Sequence, residues 1–215
     1  SEGPAAILSA IRRERPVAVP GTRYLYSDLN YILLGAILER ITGRPLPALA
    51  EERIFVPLGM GETAFNPAEA WRDRIAPTQI LNGAPRQGSV HDPLAFRMGG
   101  AAGHAGLFST AMDLARFGQA ILNGGLYGAG RILAPRTVAL MTSPLSLPQA
   151  KGRRTLGWDV DSPAAVRGVH SSPDSFGHTG FTGTALWLDP PTETLVVFLS
   201  NRVHPDGSGD LAGLR

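Results

Sequence analysis

The chain holds 215 residues, of which 43% are hydrophobic and 18% charged, with a formal net charge of +2. That length suits one large domain or two small ones, and the composition supplies a substantial core and excludes wholesale disorder. The small charge excess excludes the broad basic field of a nucleic-acid binder, and the absence of cysteine excludes disulfides and thiolate chemistry. Lys151 is the sole lysine. It sits with Arg153 and Arg154 in one short basic cluster, and Arg12, Arg13 and Arg15 form another. No aromatic platform interleaves with either, so both read as solvated surface. The most apolar windows, "YILLGAILERI" and "TLVVFLSN", are too short or too interrupted for the ~20 residues of a membrane span. The opening "SEGPAAILSAIRRERP" lacks the basic-then-apolar layout of a signal peptide.

In chain order, residues 1–15 suit a short helix with Ile7, Leu8 and Ile11 on one side, broken by Pro16 and by Pro20-Gly21. Leu29, Ile32, Leu33, Ala36, Ile37 and Ile41 recur at helical spacing, with Asp28 as N-cap and Gly43 and Pro45 as the stop. A second short helix is expected near residues 47–54. Residues 61–108 are rich in Gly, Pro and Asn and lack periodicity; a loop of that length is usually functional or wraps another part of the chain. Thr110 with Asp113 resembles a capping box before an amphipathic helix carrying Leu114, Phe117, Ile121 and Leu122, closed by Gly124-Gly125. Pro135 suits the first turn of a helix through Thr142.

The last third is strand-like. "TLGWDV", "SFGHTGF", "GTALWLD" and "TLVVFLSN" are short segments rich in β-branched and aromatic residues. Residues 184–189 and 194–199 should pair as a hairpin across Pro190–Glu193. "LVVFL" is apolar on both faces and therefore reads as a central strand covered by helices on both sides. The plan is α+β: a helical, loop-rich part over residues 1–150 and antiparallel strands over 151–215, together part of one longer domain.

Nucleotide-binding GxGxxG and GxxxxGK[ST], zinc-binding HExxH and the GxSxG elbow are all absent, and the five histidines show no metal-ligand spacing. The reading therefore invokes no cofactor and no metal. "HDP" at 91–93 could contribute a ligand but reads more readily as an Asx-type turn, and His104 reads as either a tight loop contact or a pocket wall. Two segments are left. Tyr26-Ser27-Asp28 enters a helix from a loop, and His178-Thr179-Gly180 lies on an expected strand. A phenol with its ordinary pKa of about 10 is a poor base at neutral pH, but a neighbouring cation favours its anion. Gly180 would let a substrate lie close along the strand, and the backbone N–H of Phe181 could face a developing oxyanion. By position alone, Tyr26 could equally anchor the helix start, and His178 could be a structural histidine.

The order and spacing of these segments resemble the penicillin-recognising serine hydrolases, a family of class C β-lactamases, DD-peptidases and related esterases. "PGTRYLYSDLNYILLGAILERITGRPL" resembles their Tyr-x-Asn segment, with Tyr26 as the tyrosine and Asp28 at the Asn position. "FGHTGFTGTALWLDP" resembles their Lys-Thr-Gly strand, with His178, Thr179 and Gly180 in those places. "GHAGLFSTAMDLARFGQAILNGG" and "PLGMGETAF" are also similar to family segments, so the resemblance spans almost the whole chain.

The resemblance implies a β-lactamase/transpeptidase-like fold and an acyl-enzyme mechanism on a D-amino-acid peptide, β-lactam or ester. Tyr26 would be general base and acid. His178 would bias Tyr26 toward its anion or bind a substrate carboxylate, Thr179 would hydrogen-bond that carboxylate, and Phe181 N–H would help hold the oxyanion. Asp28 in place of Asn removes a donor at the substrate amide, and His178 in place of Lys makes the local charge depend on pH. The family's Ser-x-x-Lys is absent here, since Pro148 stands three places before Lys151. The resemblance therefore puts the nucleophile upstream of residue 1, in a missing N-terminal segment or a second chain, and implies that this chain alone is inactive. It also favours the cell envelope as location. The other reading is a non-catalytic relative that binds cell-wall peptides in the same cleft.

Overall fold

A computed structural model of the chain describes residues 3–145, 151–163, 165, 167–209 and 211. The first helix, α1 (Pro4–Ile11), starts with Pro4, whose fixed φ and missing N–H suit a first turn. It stops at Ile11, short of the expected Arg15, and buries Ile7 and Ile11 against Ile32. That isoleucine belongs to α2 (Asp28–Thr42), which Gly43 closes in the left-handed conformation. Its N-cap is Ser27, one residue earlier than expected, and the Ser27 side chain makes no capping bond. Asp28 is instead the first helical residue, where a carboxylate suits the positive end of the helix dipole.

The next short helix is longer and less regular than its sequence suggests. α3 (Leu46–Ala50) runs into a π-helical turn at Glu51–Phe55 and then α4 (Val56–Leu58). Pro57 explains the wide turn: its ring would clash with the carbonyl four residues back in a regular α-helix. Phe55, Leu58 and Met60 pack with Ala120 in a second core cluster.

Residues 61–108 wrap, as their composition suggests, and carry short elements of their own. β1 (Ala64–Phe65), β2 (Ile80–Leu81) and β3 (Ala84–Pro85) precede α5 (Pro93–Arg97) and β4 (Leu107–Phe108). β1 pairs with β4, β2 with β3, and the 77–80 strip is tied to the far end of the chain. There Asn201 Nδ2 donates to the Pro77 carbonyl, His204 Nδ1 to the Thr78 carbonyl, and Ile80 N–H to the Pro205 carbonyl. α6 (Ala111–Leu122) follows with Thr110 as N-cap, accepting the Asp113 N–H at 3.3 Å. The Asp113 carboxylate turns inward instead. It is 2% exposed and accepts from Glu62 N–H, the Thr63 hydroxyl and the Arg116 guanidinium at 2.8, 2.9 and 2.8 Å. β5 (Leu126–Tyr127) and β6 (Gly130–Arg131) form a small hairpin before α7 (Pro135–Thr142), whose first residue is proline as expected.

One antiparallel sheet orders β7 (Phe176–Thr179), β8 (Ala185–Asp189) and β9 (Thr194–Phe198) in that sequence. β8 and β9 form the expected hairpin through Pro190–Thr192, with Glu193 left-handed. Leu186 and Leu188 face α6 and pack with Ile121, Val138, Val160 and Phe176 in the main core, which Leu195 of β9 joins. The central strand is therefore β8. β9 was expected to be central, yet among the described residues it is hydrogen-bonded on one side only, to β8. Leu195 and Val197 stand opposite Leu188 and Leu186, so they share the α6 face, whereas Val196 points the other way and is 54% exposed. An apolar run signals the capacity to be covered on both faces; here α6 supplies cover on one. "TLGWDV" is not a strand either. Gly157, at φ +110°, folds it into a tight turn, and only single bridges link Arg154 to Asp159 and Asp159 to Gly177. Among the described residues no helix is long and apolar enough to cross a membrane.

Candidate active site

Residues 23–27 run without regular structure, and Ser27 is extended, so Tyr26 is delivered just before α2 begins and stands 58% exposed. From the far end of the sequence, β7 brings His178 to it. The two rings stack with centroids 6.2 Å apart and planes 25° apart. The Thr179 carbonyl lies 2.8 Å from His178 Nδ1; a carbonyl only accepts, so Nδ1 carries a proton and Nε2 is the free acceptor of the neutral ring. Tyr26, Asp28, His178, Thr179, Gly180 and Phe181 thus lie on two segments that meet at the Tyr26–His178 contact.

The remaining strand residues have local reasons to be where they are. Gly180 N–H donates to the Thr184 carbonyl at 2.7 Å, and a Cβ at residue 180 would stand 2.3 Å from Thr184 Oγ1. A larger residue would therefore have to displace the Thr184 hydroxyl, a packing reason for glycine besides any access it offers a substrate. Phe181 is 69% exposed, with His91 stacked on its ring at 5.6 Å and the Arg202 guanidinium 4.5 Å from its centroid. Arg202 Nε also donates to the Phe181 carbonyl at 2.7 Å, which anchors the backbone at this point.

Sequence reasoning missed Arg154. Its cluster with Lys151 and Arg153 reads as solvated, yet the Arg154 side chain is only 13% exposed and pairs with Asp159, 6% exposed, at 2.9 Å. Its guanidinium carbon lies 5.4 Å from the ring centres of both Tyr24 and Tyr26. No spacing in the sequence separates it from Arg153, whose side chain is 41% exposed and pairs with Asp161. Only the turn at Gly157, which brings Asp159 back to residue 154, makes the distinction.

The electrostatics oppose an easily ionised Tyr26. Partial burial raises its pKa above the ordinary tyrosine value and the Asp28 carboxylate raises it further, while the Arg154 cation works the other way. Tyr24 is likewise raised, by burial first, with Arg154 again opposing. Among the described residues, Arg154 is the cation that favours the Tyr26 anion, and burial and Asp28 outweigh it.

Asp92 and His104 form a partly buried brace. Asp92 caps α5 by accepting the Ala95 N–H at 2.7 Å, as an Asx turn should, and His104 Nε2 lies 2.9 Å from the same oxygen. His104 is therefore the loop contact of its two readings, with a side chain 5% exposed. Among the described residues no group of three His, Asp or Glu side chains is placed to hold a metal ion.

The model of the Beta-lactamase family matches residues 2–215. A protein of Escherichia coli O157:H7 named "Putative D-alanyl-D-alanine carboxypeptidase" is 39% identical over 223 residues, covering 95% of this chain and 51% of its own length. A relative of the same name in Salmonella paratyphi B is 37% identical over 226 residues, with the same coverages of 95% and 51%. The chain thus spans about half the length of the curated relatives it matches. Among solved structures, a penicillin-binding protein homologue from Caulobacter crescentus superposes with a TM-score of 0.71 at 20% identity, covering 92% of this chain and 58% of the other. EstCE1, a hydrolase with promiscuous acyltransferase activity, gives a TM-score of 0.71 at 22% identity, covering 100% and 60%. At such identities these structures speak for the fold alone, and the fold is the α+β arrangement described above. With nearly every residue inside the family match, the chain belongs to the Beta-lactamase family.

Proposed function

We propose that this chain carries the proton-transfer and strand half of a serine acyl-hydrolase site, whose nucleophile and its lysine lie in the remaining half of the relatives' length. The supporting observation is the stacking of Tyr26 on His178 at 6.2 Å, which joins the two segments a Tyr/Lys-Thr-Gly site would need. The substrate class best supported is a peptide ending in D-alanyl-D-alanine, from the names of the relatives at 37–39% identity. β-Lactams and esters are the other two acyl donors of the same chemistry.

In this reading the serine oxygen attacks the scissile carbonyl as its proton passes to the Tyr26 oxygen. The carbonyl oxygen becomes an oxyanion held in part by Phe181 N–H. Collapse expels the amine, which takes from Tyr26 the proton that the serine gave up; water then attacks the acyl-enzyme, yields its proton to Tyr26, and the serine oxygen recovers that proton as the acid leaves. Thr179 donates its hydroxyl to the substrate carboxylate, and His178 joins it in the protonated ring, where Nδ1 keeps its bond to the Thr179 carbonyl and Nε2–H donates. An ionised Asp28 only accepts hydrogen bonds, so it contacts a substrate N–H rather than an amide oxygen. On a cell-wall peptide this chemistry belongs in the envelope, and the chain alone is inactive.

The test uses the intact protein encoded by the full reading frame. Incubation with a fluorescent penicillin and with an activated ester should give a covalent adduct by intact mass on one serine of a Ser-x-x-Lys. Release of D-alanine from a D-Ala-D-Ala peptide should depend on Tyr26. Binding of the peptide without acylation or turnover supports the non-catalytic reading instead, and a full reading frame without Ser-x-x-Lys ends the hydrolase reading.

A further inference from the structure

The Arg154–Asp159 pair is set beneath the proposed base in a way that a solvated surface arginine is not. Asp159 belongs to the β7 side of the site: its N–H donates to the Gly177 carbonyl at 2.8 Å, and its carbonyl accepts the Gly177 N–H at 2.9 Å. Residue 177 immediately precedes His178. Asp159 Oδ2 accepts from the Arg154 guanidinium at 2.9 Å and also from the Ser162 hydroxyl. The guanidinium then lies 5.4 Å from both tyrosine ring centres, a distance at which a cation is attracted to a ring face. Its Nε is buried and has no hydrogen-bond partner among the described residues. A buried N–H left unpaired has a cost, and it is tolerated here in an arginine oriented by its carboxylate at one end and by two aromatic rings at the other.

We infer that Arg154 is a positioning residue for Tyr26: through Asp159 it links the loop before α2 to strand β7, and it sets a fixed cation against the Tyr26 ring. Lysine could not do both, because an ammonium lacks the planar fork that spans Asp159 and two rings. Among the described residues, the charged and titratable groups facing Tyr26 are Asp28 and Tyr31 from α2, Tyr24 from its own loop, Arg154 and Asp159 from the turn, and His178 from β7. Of these, Arg154 is the fixed cation, and its influence on Tyr26 exceeds that of Asp159 in the opposite sense.

The inference rests on the proposed role of Tyr26 only in its kinetic consequence, and the titration below needs no turnover. Tyrosine labelled at Cζ with carbon-13 in the intact protein, assigned with Tyr26→Phe, reports the Tyr26 midpoint by NMR. Arg154→Met should raise that midpoint by roughly 0.5 to 1 pH unit. Asp159→Asn, which keeps the cation and an acceptor for it, should lower the midpoint. Arg154→Lys, which keeps the charge, should fall between the parent and Arg154→Met. If the intact enzyme turns over substrate, the acid limb of kcat/KM should move with the midpoint, a roughly three- to tenfold loss at neutral pH for Arg154→Met. Because Arg154→Met leaves Asp159 buried without its partner, Asp159→Asn and Arg154→Lys keep the test decisive if it does not fold. A Tyr26 midpoint unmoved in folded variants, or moved the same way by Arg154→Met and Asp159→Asn, overturns the inference.

Discussion

Two acidic groups in this chain, Asp113 and Asp28, have opposite settings. Asp113 is 2% exposed, and three donors from β1's approach and from α6 itself satisfy it. Asp28 sits at the first turn of α2 and faces Tyr26, whose pKa it helps to raise. The first carboxylate holds two parts of the fold together. The second belongs to a face where polar groups are held close to one another and remain partly open to solvent. A side chain completely satisfied by protein partners serves stability, whereas one left with acceptor or donor capacity is available to a substrate.

The comparison can be broken first at Tyr26. In the intact enzyme Tyr26→Phe should lower acyl transfer by roughly 10²–10⁴-fold while leaving the thermal midpoint nearly unchanged, because the hydroxyl stands on a half-exposed ring. Steady-state kinetics with calorimetry checks it, and a large stability loss with activity intact would reverse the contrast. Asp113→Ala should do the opposite, costing about 3–5 kcal/mol of stability in denaturant titration by removing the counter-charge of Arg116 and the buried acceptor of the Glu62 N–H and the Thr63 hydroxyl. Gly103→Ala ranks next, at about 1–3 kcal/mol. A Cβ there would stand 2.0 Å from the Tyr31 carbonyl and must push the loop off α2, so the stacking of Tyr26 should weaken too.

The smallest effect concerns acid. Burial alone would raise the Asp189 pKa, but the Ser172 hydroxyl and N–H bonds, helped by Arg167, hold it below the ordinary carboxylate value. The Arg153 N–H bond does the same for Asp161 against a smaller burial effect, with the Arg153 guanidinium adding to it. A lowered folded pKa stabilises fully above the unfolded value of about 3.9 and is lost as pH falls through the folded value. Thermal midpoints should therefore drop below about pH 4, and the deficit of Ser172→Ala relative to the parent should shrink over the same range. A deficit constant with pH would show that Ser172 acts through packing.

The readable parts of the fold were those with local causes. Pro135 and Thr110 start helices because first turns have unpaired donors, and Gly43 ends one because it can turn left-handed. The β8–β9 hairpin follows from two apolar runs flanking a proline pair. Where neighbours decide, local pattern was misleading. β9 has the composition of a central strand and is hydrogen-bonded on one side among the described residues, and "TLGWDV" has strand composition but folds at Gly157.

The site divides in the same way. Tyr26, Asp28 and His178-Thr179-Gly180-Phe181 are proposed as site residues because their spacing resembles a known pattern, and the sequence by itself determined that family, the order of its segments and the lack of Ser-x-x-Lys in this chain. Tertiary structure alone decided that Arg154 is the buried cation and Arg153 the half-exposed one, and that the rings of Tyr26 and His178 stack. The physical reason is that a charge takes its character from burial and partners. Those are set by a turn several residues away and by strands from the other end of the chain, which residue type and spacing do not record.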